Sequence, residues 1–196
     1  MINHIGTQTI ETDRLILRKF MMGDAQNMFD NWANDHQVTK YLQWKPHENI
    51  EVTKNILENW VKSYEQPDRY NWGIVYKENM QVIGSIAIVS FSNMHEWCEI
   101  GYCLSRNYWN TGIMTEALKV VIKFCFTKIG FNRVQAFHHV ENTASGKVML
   151  KAGMKYEGRL RQYHVNTQGV FVDCDMYSIL KDEYLNQEGR FGGDLI

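Results

Sequence analysis

Leu118, Val121, Ile122, Cys125, Phe126 and Ile129 recur at i, i+3, i+4, i+7, i+8 and i+11. That spacing places one apolar stripe along a helix that opens near Gly112. The run before it, Glu96–Leu104, alternates as a strand: Cys98, Ile100, Tyr102 and Leu104 form an apolar face, and Trp97, Glu99, Gly101 and Cys103 form the other. Upstream, Ile10 to Phe20 also alternates, with Leu15 and Leu17 on one face, and reads as one strand. Gly23-Asp24 offers an N-cap to a helix carrying Met28, Phe29 and Trp32. A shorter helix includes Val38, Tyr41 and Leu42, and Ile50 to Tyr64 is amphipathic, with Leu57, Trp60, Val61 and Tyr64 on one side. Tyr70–Tyr76 and Gln81–Phe91 are strand-like, with turns at Glu78-Asn79 and Ser92-Asn93. After the striped helix come a strand at Arg133–His139, a helix at Ala144–Lys151, and two strands joined at Asn166-Thr167-Gln168-Gly169. The order is β-α-α-β-β-β-α-β-α-β-β. Three consecutive hairpin strands exclude a simple doubly wound sheet and predict a mixed α+β sheet with helices on its faces. Residues 1–185 are expected to form a single domain. The tail 186–196, with Gly189, Gly192 and Gly193 and no period, is expected to be mobile.

Composition narrows the function. The chain has 196 residues, 44% hydrophobic and 22% charged, which suits a soluble globular domain with a core that needs no staples. A net charge of −1 argues against direct nucleic-acid binding. No apolar run approaches the ~20 residues of a membrane span. Met1 to Thr7 lacks the basic start and apolar middle of a signal peptide, so a cytoplasmic protein off the membrane is expected. Four cysteines without a Cys-x-x-Cys pair read as reduced, mostly buried thiols. His138 and His139 are adjacent on a strand and point oppositely, so no metal site is expected.

The chemistry concentrates in the turn between the Glu99–Leu104 strand and the striped helix. There the first N–H groups of a helix have no intrahelical partner and, with the helix dipole, suit a pyrophosphate. A second cluster follows, Glu141-Asn142-Thr143-Ala144-Ser145 and then Leu150-Lys151-Ala152-Gly153-Met154.

On these residues the chain resembles the GNAT superfamily of acetyl-coenzyme A (acetyl-CoA)-dependent N-acetyltransferases, and within it the bacterial ribosomal-protein N-terminal acetyltransferases. The resemblance runs from Glu11-Thr12-Asp13-Arg14-Leu15 through Glu99-Ile100-Gly101-Tyr102, Tyr108-Trp109-x-x-Gly112-x-Met114-Thr115-Glu116-Ala117, Glu141-Asn142-x-x-Ser145 and Lys151-x-Gly153 to Glu157-Gly158. It implies a central, mostly antiparallel, twisted sheet of about seven strands, splayed at the cofactor site, with helices on both faces. It also implies a cofactor loop made by Leu104, Asn107, Trp109, Asn110, Thr111, Gly112, Ile113, Met114 and Thr115, with Asn142 on the pantetheine. Asn107 stands where the family usually has Arg or Gln, and Asn110 where it has Gly. Asn tolerates a left-handed backbone, so the loop is expected to survive, with backbone N–H groups supplying most of the grip.

The reaction needs a base for the amine, a donor for the oxyanion and a proton for the departing thiolate. Glu99 and His164 are rival bases. The main chain near Leu104 is the implied oxyanion donor, and Ser145 the implied acid. The acceptor implied by the resemblance is a protein N-terminal α-amine, as on a ribosomal protein. A small amine (a polyamine, an amino sugar or an antibiotic) and a non-catalytic acyl-CoA-binding module are the alternatives. A homodimer is left open.

Overall fold

The computed structural model describes residues 2–191. Its elements are β1 (Ile10–Glu11), β2 (Leu15–Arg18), α1 (Ala25–Met28), α2 (His36–Thr39), α3 (Ile50–Ser63), β3 (Asn71–Tyr76), β4 (Gln81–Ser92), β5 (Trp97–Leu104), α4 (Ile113–Phe124), β6 (Arg133–His139), α5 (Thr143–Lys151), β7 (Lys155–Val165), β8 (Phe171–Leu180) and α6 (Lys181–Phe191). All eight strands join one sheet in the order β1-β2-β3-β4-β5-β6-β8-β7.

Two sequence expectations are corrected here. The run Ile10 to Phe20 is two strands: Thr12 N–H bonds the Leu15 carbonyl and Leu15 N–H bonds Thr12 Oγ1, both at 3.0 Å, and this turn folds β1 back on β2. Asp24 does not cap α1 through its side chain. Its carboxylate accepts both Arg18 Nη groups, at 2.7 and 2.9 Å, and the Met21 N–H at 2.8 Å. Of the expected tail, residues 186–191 continue α6, and 192–196 fall outside the described residues.

The sheet buries both faces. On one, the stripe of α4 packs with α5 against Leu15, Trp72, Ile86, Ile100 and Val134. The last of that stripe lies in a π-helical turn, Cys125–Ile129, ended by Gly130 at φ 96°. On the other face, Met28, Trp32, Val38 and Leu57 cover Val75 and Val82. β3 and β4 therefore feed both cores, and β3 reads as a nearly continuous buried run, as a strand covered on both faces does.

Only β5 and β6 run parallel, and they pair over three residues: Trp97↔Arg133, Cys98↔Val134 and Glu99↔Gln135. Beyond Glu99 the strands diverge, β5 staying with β4 and β6 with β8. Val89 is an extra residue on β4, between the pairs Ile88↔Ile100 and Ser90↔Glu99. Such a bulge bends and twists the strand that carries it, here at the level where the wedge opens.

Candidate active site

The wedge has polar walls because of strand register. Ser105 N–H bonds the Ile83 carbonyl at 2.8 Å, so Gly101, Cys103 and Ser105 exchange their main-chain bonds with β4. The N–H and carbonyl groups of Tyr102 and Leu104 consequently point into the gap that β6 has left. The indole Nε1 of Trp109 donates to the Leu104 carbonyl at 2.8 Å, which pins the following loop to the end of β5.

That loop has the shape expected of an anion cradle. Asn107 sits in a single 3₁₀ turn, Arg106–Tyr108. Asn110 and Gly112 both have left-handed backbones, φ 63° and 81°. Gly112 starts α4 without any side-chain cap, so the N–H groups of Ile113, Met114 and Thr115 are left for another partner. The side chains of Ile113 and Met114 are buried in the core, so these two residues offer only main chain to a ligand. Thr111 turns its hydroxyl to the Tyr108 carbonyl at 2.7 Å.

Arg14, from β2's side of the sheet, clamps this loop and was not singled out from sequence as a site residue. Its Nη1 donates to the Thr111 carbonyl at 3.0 Å and its Nε to Glu116 at 2.7 Å. Burial pushes the Glu116 carboxyl up, but hydrogen bonds from Thr12 and Arg14 outweigh it and hold the group below its ordinary value.

The wedge opens into a cleft of about 820 Å³ that reaches Glu99, Cys103, Asn142, Ser145 and His164. Glu99 is partly buried, and burial pushes its carboxyl up. A hydrogen bond from Gln135 Nε2 to Oε2, at 3.1 Å, and the nearby His164 pull it part of the way back. The two rival bases thus face the same space. His164 Nε2 is buried without a hydrogen-bond partner, and Nδ1 is 3.5 Å from Gln43 Nε2. Its ring packs on Phe137 at 5.7 Å. Cys103 carries no activated thiolate, because burial raises the thiol despite its contact with Ser85 Oγ at 3.2 Å.

Across the wedge, α5 begins at Asn142, whose Oδ1 accepts the Ser145 N–H at 3.4 Å. Ser145 Oγ lies 2.8 Å from the hydroxyl of Tyr102, which also donates to the Ser145 carbonyl at 3.2 Å. Burial raises the Tyr102 phenol, so it stays protonated and able to donate. Sequence alternation put Tyr102 on the apolar face and gave no sign that its hydroxyl meets α5. Among the described residues no group of three or more His, Cys, Asp or Glu side chains could hold a metal ion.

Comparison with known proteins shows the family and the fold. The profile of the acetyltransferase (GNAT) domain family matches residues 14–155. The uncharacterized N-acetyltransferase YoaA of Bacillus subtilis is 33% identical over 172 residues, covering 88% of this chain and 96% of YoaA. The [ribosomal protein uS5]-alanine N-acetyltransferase of Escherichia coli is 23% identical over 165 residues, covering 79% of this chain and 81% of that protein. Among solved structures, a GNAT-family acetyltransferase from Bacillus anthracis superposes with a TM-score of 0.78 at 26% identity, covering 89% of this chain and 99% of the other.

Proposed function

This chain belongs to the GNAT acetyltransferases and is an acetyl-CoA-dependent N-acetyltransferase, and on that premise we propose that it acetylates a protein N-terminal α-amine with Glu99 as the base. The observation that carries the reading is the half-buried Glu99 carboxylate, raised above its ordinary value, at the point where β5 and β6 part. A base raised toward neutrality removes a proton more readily than an ordinary carboxylate. An α-amine, with a pKa of ~7.7–8.0, needs less help than a lysine at ~10.4. Likeness to the uS5-alanine enzyme supports a ribosomal-protein acceptor, met in the cytoplasm.

In this mechanism the α-amine nitrogen attacks the thioester carbonyl carbon and forms the C–N bond. Its proton passes to Glu99. The oxyanion takes a hydrogen bond from the main-chain N–H of Leu104, already aimed into the wedge and needing no reorganisation. Collapse breaks the C–S bond. The thiolate is protonated by Ser145, and Ser145 recovers its proton by way of solvent from Glu99. Asn107, Trp109, Asn110, Thr111, Gly112, Ile113, Met114 and Thr115 hold the pyrophosphate, and Asn142 the pantetheine. His164 is the reserve base, less favoured because Nε2 is shielded.

The test is thiol release from acetyl-CoA with a peptide carrying the alanine N-terminus of uS5, run against polyamines and amino sugars. Turnover on the peptide is expected, with kcat/KM falling roughly 10²–10⁴-fold in Glu99→Gln while acetyl-CoA still binds. Turnover on a polyamine or amino sugar alone would overturn the α-amine reading. Full activity in Glu99→Gln with loss in His164→Ala would move the base to His164.

A further inference from the structure

Glu99 and Gln135 form the last rung of the parallel pair, so their side chains emerge side by side. Gln135 Nε2 donates to Glu99 Oε2 at 3.1 Å, leaving Oε1 to the cleft. The other end of the same amide is also engaged, since Arg133 Nε donates to Gln135 Oε1 at 3.1 Å. A guanidinium can only donate, which fixes which end of the amide faces it. A flipped amide would set its oxygen against the Glu99 carboxylate and its NH₂ against Arg133. Arg133 is itself held on a fork: Nη1 and Nη2 reach Glu157 Oε1 and Oε2 at 2.6 and 2.5 Å, and Nη1 reaches Ser178 Oγ at 3.1 Å. The buried Ser178 hydroxyl closes the cluster by donating to Glu157 Oε1 at 2.6 Å. Four groups from β6, β7 and β8 thus end on one oxygen of one carboxylate on β5.

We propose that Gln135 is a positioning residue for Glu99, holding Oε2 so that Oε1 faces the amine, with its amide locked by the Arg133–Glu157–Ser178 cluster. The catalytic meaning of this role rests on Glu99 being the base. Arg133 and Glu157 are paired with each other, so what reaches Glu99 is a directed N–H and not a net charge. The other groups acting on Glu99 are His164 and Tyr163 on β7 and the neighbouring Cys98 thiol on β5. Ser90, its partner on β4, is uncharged. None of these shares the Gln135 amide's two-ended restraint.

The proposal is tested on the full chain by following the Glu99 carboxyl carbon in a ¹³C NMR pH titration, without any ligand. A hydrogen bond to the charged form lowers a carboxyl's pKa, so removing it must raise the midpoint. In Gln135→Leu the midpoint is expected to rise by about 0.5–1 pH unit, a three- to tenfold change in the acid constant. Gln135→Glu keeps the shape and the acceptor for Arg133 but loses the donor, and is expected to raise the midpoint at least as far. Arg133→Met, which frees the amide to turn, should raise it less. An unmoved midpoint in Gln135→Leu, which removes the donor without adding a charge, would overturn the proposal. A midpoint that moves, beside a Glu99→Gln variant with undiminished thiol release, would uphold the positioning role and remove Glu99 from the base role alone.

Discussion

Asn110 and Gly112, at φ 63° and 81°, turn the main chain so that α4 starts with its N–H groups facing outward. A side chain on Gly112 meets no clash, since a Cβ there would lie 3.6 Å from Arg14 Nη2, which is ordinary contact. The cost is therefore backbone strain. Gly112→Ala should lose about 1–2 kcal/mol, the left-handed penalty for an L-residue, and bind acetyl-CoA more weakly. Asn110→Gly should be near neutral, because Asn already tolerates this region. Urea denaturation and calorimetric titration with acetyl-CoA check both. The conformation of Asn110 was legible in the sequence, since only its glycine-like tolerance lets it replace a loop glycine. The hydroxyl of Tyr102 was not, because periodicity assigns a face and says nothing about what waits 43 residues away at Ser145. Gln135 was equally silent, a polar residue on a strand with no motif around it.

α5 and β6 meet so closely at Gly146 that helix propensity gives the wrong sign there. Alanine in place of a helical glycine normally gains about 1 kcal/mol. Here a Cβ would stand 2.6 Å from His138 Nε2, and that ring is 6% exposed and stacked on Tyr177 at 5.5 Å. Gly146→Ala is expected to destabilise the protein. Its cost should shrink in a His138→Ala background, with a coupling of about 1 kcal/mol or more across the cycle. Urea denaturation of the four proteins measures it, and simple additivity would refute the contact. At this scale the sequence reading located β6, α5 and the last hairpin well, since each combines clear alternation or spacing with a turn signal. It missed the break between β1 and β2, because the turn at Thr12 leaves the alternation of Leu15 and Leu17 intact. It gave no helix over 186–191, where α6 continues, because the segment is largely polar and has no apolar period. Tyr184 docks that helix by packing its ring, tilted, against Phe126 at 5.4 Å.

The sheet as a whole is two antiparallel halves joined by three parallel pairs. Element order predicted a mixed sheet, but the joint follows from the register of residues far apart in the chain, which no local pattern records. In the proposed mechanism acetyl-CoA fills the opening that the joint leaves. Saturating cofactor, at about 100 times its Kd, should add roughly 2.7 kcal/mol to stability. Hydrogen exchange should slow most at the amides of Tyr102, Leu104 and Ile113–Thr115 and little in β1 to β3. Uniform protection across the sheet would contradict a ligand held at the wedge. A joint of three residue pairs also makes the bound cofactor a brace between the two halves in the proposed mechanism. With acetyl-CoA bound across it the halves are expected to open less often to proteases, and without it more often, so the lifetime of the chain in a protease digest should lengthen with the supply of its own substrate.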